Sequence, residues 1–391
     1  MFTLKPVTGK NFINRKSLIK DMLEELSDGE STTGFALYGN RRVGKTSLFR
    51  ELQRRLKLKD GYVCIYFSLW ELVPNTVEAF IKNFSKCIIE GFRPILPLKY
   101  KVSEMAKMPI SVVRDMLREV KMGAKMSNEI EFFLTFKGLK ETDYPSMLRR
   151  TFELPDKLAK ISDLKCILLI DEFPSIIDLK NGKRVGKEIL GLIRTVQEEH
   201  KRTAICISGS IRKTMESSAL SSSSPFYRQF IVREVRPFEK KDVRELLHKN
   251  LAGTSTSITE DGIESIYEHT AGIPFYIQFL GRKLIRVGGK INGNIVERIM
   301  DEFLMEEGNA IFTEEFLTLS PKEKKIVISI AAGNHTPSEV SKNVEETVNT
   351  TSRFLIYLLE KGFIGKEEGV YTLSDPVFEK WVHRKFGELS I

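Results

Sequence analysis

The residues with the clearest chemical purpose lie between Thr33 and Ser47, in the run T-G-F-A-L-Y-G-N-R-R-V-G-K-T-S. An apolar stretch from Phe35 to Tyr38 stops at Gly39. Asn40, Arg41, Arg42 and Val43 follow, and Gly44-Lys45-Thr46-Ser47 then opens a helix-compatible run. The spacing is G-x-x-x-x-G-K-[ST], with a strand before it and a helix after it. Each part of it suits a phosphate. The glycines let the backbone turn so that its N–H groups surround phosphate oxygens, and the helix N-terminus adds partial positive charge. Lys45 is placed to reach β and γ phosphates, and the Thr46 hydroxyl to ligate Mg²⁺. A second pair, Asp171-Glu172, ends the apolar run Cys166 to Ile170. An aspartate there faces the phosphate loop across a sheet and can hold Mg²⁺ through its water shell, while the neighbouring glutamate can polarise an attacking water.

Other residues carry weaker signals. Ser208-Gly209-Ser210 ends a further apolar run, where a hydroxyl such as that of Ser210 could touch the γ-phosphate; a plain loop start fits as well. Arg228 follows the serine-rich stretch Ser217 to Ser224. It could reach a γ-phosphate in its own subunit or in a neighbouring one of a homo-oligomer, and a surface arginine is the plainer reading. Gly272-Ile273-Pro274 offers a rigid turn that can press on a bound base, and an ordinary helix start with Pro in its first turn has the same geometry. His200, His248, His269, His335 and His383 are scattered, without a carboxylate or cysteine at ligand spacing, so no zinc or histidine catalysis is expected.

Positioning these groups requires a layered scaffold. Residues 18–26 repeat apolar side chains at three- and four-residue intervals, as an amphipathic helix does. Four apolar runs, Phe35 to Tyr38, Tyr62 to Phe67, Cys166 to Ile170 and Ala204 to Ile207, are continuous rather than alternating. Continuous runs mark strands covered on both faces, the signature of a parallel α/β sheet, and Phe230 to Val235 reads as a last strand. Residues 92–141 form a largely helical, basic insertion, with nine lysines and arginines between Lys99 and Lys140 and a strand expected over 130–136. From residue 237 the pattern turns helical, over 239–251, 261–269 and 274–286. From 316 it becomes three helices closed by a β-hairpin, the winged-helix pattern. The expected division is 1–236, 237–315 and 316–391.

The chain has 391 residues, 41% hydrophobic and 29% charged, as ordinary globular proteins do. No run approaches the ~20 apolar residues of a membrane span, and no secretory signal pattern opens the sequence. Cys64, Cys87, Cys166 and Cys206 lack C-x-x-C spacing and suit buried thiols in a reducing cytoplasm. The net charge of +9 belongs to the first 160 residues, while residues 316–391 are neutral. The basic half could serve nucleic acid, a membrane surface, an acidic protein or simply solvation. Asn349, Thr350, Thr351, Ser352 and Arg353 head the expected recognition helix and suit base or phosphate contacts. Zero net charge equally suits a protein partner.

Together these residues resemble the archaeal ATPase family of the AAA+/STAND group of P-loop NTPases, over about Phe12 to Val382. The resemblance rests on Phe12-Ile13-Asn14-Arg15-Lys16, Gly39 to Ser47, Ile167 to Glu172, Ser208-Gly209-Ser210, Pro225-Phe226-Tyr227-Arg228 and Gly272-Ile273-Pro274. Asn14 and Lys16 stand where the family's first box has glycine and an acidic residue, and no glycine precedes Arg228. The resemblance implies a three-layer parallel-sheet core, a helical lid and a C-terminal winged helix. It also implies binding of ATP or ADP with Mg²⁺, with Phe12 and Arg15 near the adenine and Pro274 in the lid. The activity it implies is a slow, partner-stimulated ATPase switch. The competing reading is an ATP-regulated DNA-binding protein that acts on duplex DNA through its winged helix and basic insertion.

Overall fold

The computed structural model describes residues 2–29, 31–95, 144–209 and 229–387. The expected insertion lies almost wholly outside them, as do the strand over 130–136, the serine-rich stretch, Ser210 and Arg228. At the centre is a five-stranded sheet of β1 (Gly34–Tyr38), β2 (Tyr62–Ser68), β3 (Lys165–Asp171), β6 (Thr203–Gly209) and β7 (Phe230–Glu234), in the order β2-β3-β6-β1-β7. Every pairing is parallel. Between β3 and β6 lies a small exposed hairpin, β4 (Lys180–Asn181) and β5 (Lys183–Arg184).

Successive residues of a strand point to opposite faces, and both faces are covered. Phe35, Leu37, Cys64, Ile167, Leu169 and Cys206 pack against α1 (Lys16–Leu26) and α2 (Lys45–Leu56). Ala36, Ile65, Phe67, Leu168, Ile170 and Ile205 pack against α3 (Val77–Phe92), α4 (Tyr144–Ile161) and α5 (Gly186–Glu199). Both faces being apolar explains the unbroken runs in the sequence. All four cysteines are free thiols. Burial pushes Cys87 up to about 11 and Cys206 to about 12, so neither is a reactive thiolate near neutral pH.

The second half is helical: α6 (Lys240–Leu251), α7 (Glu260–Thr270), α8 (Pro274–Val287), α9 (Gly293–Met305) and α10 (Glu307–Leu317). A two-stranded parallel pair, β8 (Thr256–Ile258) with β9 (Gly289–Ile291), clips α6 and α8 together. After α11 (Pro321–Ala331), α12 (Pro337–Asn343) and α13 (Val348–Lys361) comes an antiparallel hairpin, β10 (Ile364–Glu367) and β11 (Val370–Leu373). A final helix, α14 (Pro376–Phe386), is held at its start by Asp375, which accepts from the amides of Val377 (3.0 Å) and Phe378 (3.2 Å).

The expected division at residue 315 falls inside α10, and packing shows why. One continuous apolar core runs from Val243 to Val382. Its seam is aromatic: Phe312 lies 5.5 Å from Phe378 and 5.9 Å from Trp381, and Phe316 lies 5.7 Å from Trp381. Aromatic pairs at such separations add to the area they bury, which ties the last helix to the segment before it. The N-terminus belongs to the same core. Phe2 is buried with its ring against Gly281, where an added Cβ would meet it at 2.3 Å. Residues 3–9 then strap back to the sheet domain. Thr3 N donates to Gln278 Oε1 (3.0 Å), Val7 N to Ser47 Oγ (3.2 Å) and Gly9 N to Glu51 Oε2 (2.7 Å).

Candidate active site

The loop Gly39 to Gly44 leaves the C-terminal end of β1, the edge at which parallel α/β sheets place their ligands. Gly44 has φ +95°, and a Cβ there would stand 3.0 Å from Arg15 Nη1. A side chain would therefore meet both an unfavourable backbone conformation and a neighbour. Lys45 follows at the first helical position and is buried. Its Nζ donates to Gly39 O (2.9 Å) and Asn40 O (3.0 Å), so the ammonium is folded back into its own loop. Thr46 Oγ1 donates to Asp171 Oδ2 at 2.7 Å, joining the first turn of α2 to the end of β3.

Asp171 is nearly enclosed by donors. Tyr66 Oη donates to Oδ2 (2.7 Å), Glu172 N to Oδ1 (3.1 Å) and Ser208 Oγ to Oδ1. Glu172 sits at φ +52°, a conformation that non-glycine residues hold at a cost of order 1–3 kcal/mol and that clusters at functional sites. It caps a short 3-10 segment, Phe173–Asp178, and lines a cavity of about 480 Å³ with Lys45, Thr46, Ser47 and Trp70. The other wall of that cavity is the strap Thr3 to Val7 with Pro274, Phe275 and Gln278 of α8. Gly272, just before it, has φ +69°, and a Cβ would lie 2.0 Å from Phe238 O, so the turn into α8 requires glycine.

The donors available suit Mg²⁺. The Thr46 hydroxyl and the Asp171 carboxylate are hard oxygens side by side, and Mg²⁺ is commonly held by one or two such protein groups together with phosphate oxygens and water. Among the described residues no group of three or more His, Cys, Asp and Glu could hold a metal ion.

The electrostatics of Lys45 yield a measurable consequence. Burial pushes its ammonium down from 10.5 to about 8; Glu172 and Asp171 pull it up, while Arg15 and Arg41 add to the fall. Between those two pH values the unfolded chain holds a proton that the folded one has lost, so stability rises with pH across that window. A bound polyphosphate favours the charged lysine again. Nucleotide binding should then take up about one proton at pH 9 and about a tenth of one at pH 7. Calorimetry in two buffers of different ionisation heat measures this, and identical heats at pH 9 would contradict it.

Phe12 and Arg15, the two residues expected near the adenine, stand outside this cavity's lining. Phe12 packs beside the α1–α2 core. Asn14 and Arg15 both have positive φ (62° and 58°), so Asn14 keeps the left-handed turn for which a glycine would serve. The Arg15 guanidinium holds the phosphate loop from outside, donating to Gly44 O (3.2 Å), Val43 O and Arg236 O (3.2 Å) over the ring of Phe238. These bonds tie the loop's carbonyls to the turn before α1.

Arg42 lines the same cavity, and its guanidinium is already engaged elsewhere. At φ +66° it turns away from the sheet and donates to Tyr276 Oη (2.9 Å), Asp375 Oδ2 (3.0 Å) and Glu315 Oε1 (2.7 Å). Burial and Asp375 push the Tyr276 phenol well up, so it stays protonated and donates to Asp375. Beside this group Asn40 Nδ2 donates to Ser374 O (3.0 Å). The phosphate loop thus touches the two residues that join the C-terminal hairpin to α14, and a larger cleft of about 790 Å³ lies between loop and hairpin. Tyr66, Gln278 and the strap are site residues that sequence reasoning missed. For Tyr66 there was a signal: in β2 it shares a face with Cys64, which packs against α2.

A family profile described as an ATPase domain predominantly from Archaea matches residues 12–280. An uncharacterized ATP-binding protein of Methanocaldococcus jannaschii is 24% identical over 323 residues, covering 76% of this chain and 75% of that protein. Another protein of the same organism is 28% identical over 213 residues, and the match spans 42% of its length. Among solved structures, the Walker-type ATPase of Pyrococcus abyssi shares the fold, with a TM-score of 0.69 at 22% identity over 98% of this chain and 99% of that one. With more than half of its length matched, this chain belongs to that family of predominantly archaeal ATPase domains.

Proposed function

We propose that the chain is a Mg²⁺-dependent ATP-hydrolysing switch whose nucleotide state sets the position of its C-terminal unit, read here as a winged helix behind a helical lid. In this reading Lys45 holds the β and γ phosphates, Thr46 and Asp171 hold the metal, and Glu172 orients and deprotonates the attacking water. Bound Mg²⁺ supplies charge neutralisation to the phosphates. The strap and the start of α8 enclose the base.

The observation that carries the switch is Arg42. It lines the nucleotide cavity and the cleft toward the hairpin alike, and Glu315 and Asp375 hold it in the latter. A polyphosphate competes with those carboxylates for the same cation, and three phosphates compete more strongly than two. That difference is the differential contact a population shift requires.

The surface of the C-terminal unit favours a protein partner over duplex DNA. Val348, Ile356 and Tyr357 of α13 and Val370 of β11 are exposed, and the hairpin tip carries Glu367 and Glu368. Acidic residues at the tip repel phosphates, whereas exposed apolar side chains suit a protein face. Comparing ATP turnover of the wild type with that of Glu172→Gln tests the hydrolytic reading; no turnover by the wild type would end it.

A further inference from the structure

Tyr66 is not part of the motifs that define the site, yet it is built into it. It lies on β2, register-paired with Leu169 of β3, and its hydroxyl reaches Asp171 Oδ2, the oxygen that also accepts from Thr46. The Arg50 guanidinium lies 3.5 Å from the centre of the Tyr66 ring. Arg50 is one helical turn after Thr46 on α2, so Thr46, Asp171, Tyr66 and Arg50 close a loop joining α2, β3 and β2.

We propose that Tyr66 is a positioning residue for the metal, holding against rotation the Asp171 carboxylate that would meet a hydrated Mg²⁺. An ionised carboxylate offers about four acceptor positions, and four donors fill them here: Thr46, Tyr66, Ser208 and the Glu172 amide. A hydrated metal held by this carboxylate would take the place of one of these donors. Thr46 is the one whose own oxygen suits the metal. Ser208 and the Glu172 amide then hold Oδ1, and Tyr66 alone holds Oδ2 against rotation. Partners that orient metal-binding groups in this way are typically worth 10–100-fold in metal affinity.

This inference rests on the metal–nucleotide reading of the site, and Tyr66→Phe separates the two. The variant keeps the ring and its contact with Arg50 and removes only the hydroxyl. Mn²⁺ is titrated into the protein–ADP complex and followed by its paramagnetic resonance signal, with ADP affinity measured separately in chelator. The expected result is a Mn²⁺ dissociation constant raised by about tenfold, with the metal-free ADP affinity unchanged. An unchanged Mn²⁺ constant, or metal-free ADP affinity falling in step with it, overturns the positioning role. If the wild-type complex takes up no Mn²⁺ at all, the metal reading itself falls, and this inference with it.

Discussion

Glu172→Gln should lower ATP turnover by about 10²–10⁴-fold, the usual contribution of a positioned general base, while leaving nucleotide affinity within a few-fold of wild type. The side chain is held at the mouth of the cavity by a left-handed backbone turn, directly after the aspartate that meets Thr46. Glutamine keeps the size and removes only the capacity to take a proton. The change reaches Lys45 as well, because Glu172 is the foremost group holding that buried ammonium charged. The variant should therefore take up more protons than wild type on binding nucleotide near pH 8. Turnover and proton uptake are independent readouts. Wild-type turnover in Glu172→Gln would show that hydrolysis uses another base.

Arg42→Ala should lower the stability of the folded chain by about 3 kcal/mol, the scale of breaking one partner out of a buried ion pair. The arginine side chain is 16% exposed and meets Glu315 and Asp375, which are 24% and 20% exposed. Three aromatic rings, Phe275, Tyr276 and Phe312, lie within 5.5 to 5.7 Å of its guanidinium carbon. Removing it leaves two carboxylates and a phenol converging with, among the described residues, only Arg41, 3.9 Å from Glu315 Oε1, as a nearby cation. Arg42→Lys should recover only part of the loss, since one ammonium cannot replace a planar fork that serves three acceptors at once. Urea melts of the three proteins measure the differences. A wild-type midpoint in Arg42→Ala would mean that the Arg42 ion pairs do not hold the phosphate loop to the C-terminal unit.

The local features were legible in the sequence. Strands buried on both faces announce themselves as unbroken apolar runs, and the loop from Gly39 to Thr46 reads from spacing alone, since its chemistry is contained in eight consecutive residues. The contacts that couple the domains were not legible. Arg42 and Asp375 stand far apart in the chain, and nothing local distinguishes an arginine that will face a phosphate from one that will face a carboxylate. Arg15 shows the same limit: it sits in the box that the resemblance placed near the adenine, yet its fork holds loop carbonyls. Helices α9 and α10 were unassigned: they meet at Glu306 (φ −103°, ψ −98°), and Gly308, which reads locally as a helix break, is buried inside α10. The strap was missed because residues 2–9 lack periodicity and are ordered by Gln278, Ser47 and Glu51.

Hydrogen–deuterium exchange across the hairpin Ile364 to Leu373, with a non-hydrolysable ATP analogue and with ADP, tests the switch most directly. The end of the hairpin is anchored to the phosphate loop by the next two residues, through Asn40–Ser374 and Arg42–Asp375. If the third phosphate draws Arg42 away from Asp375, the hairpin amides should exchange faster with the analogue than with ADP, and Arg42→Ala should exchange fast with both. Equal protection in the two nucleotide states, from a wild-type protein shown to bind both, would contradict the coupling.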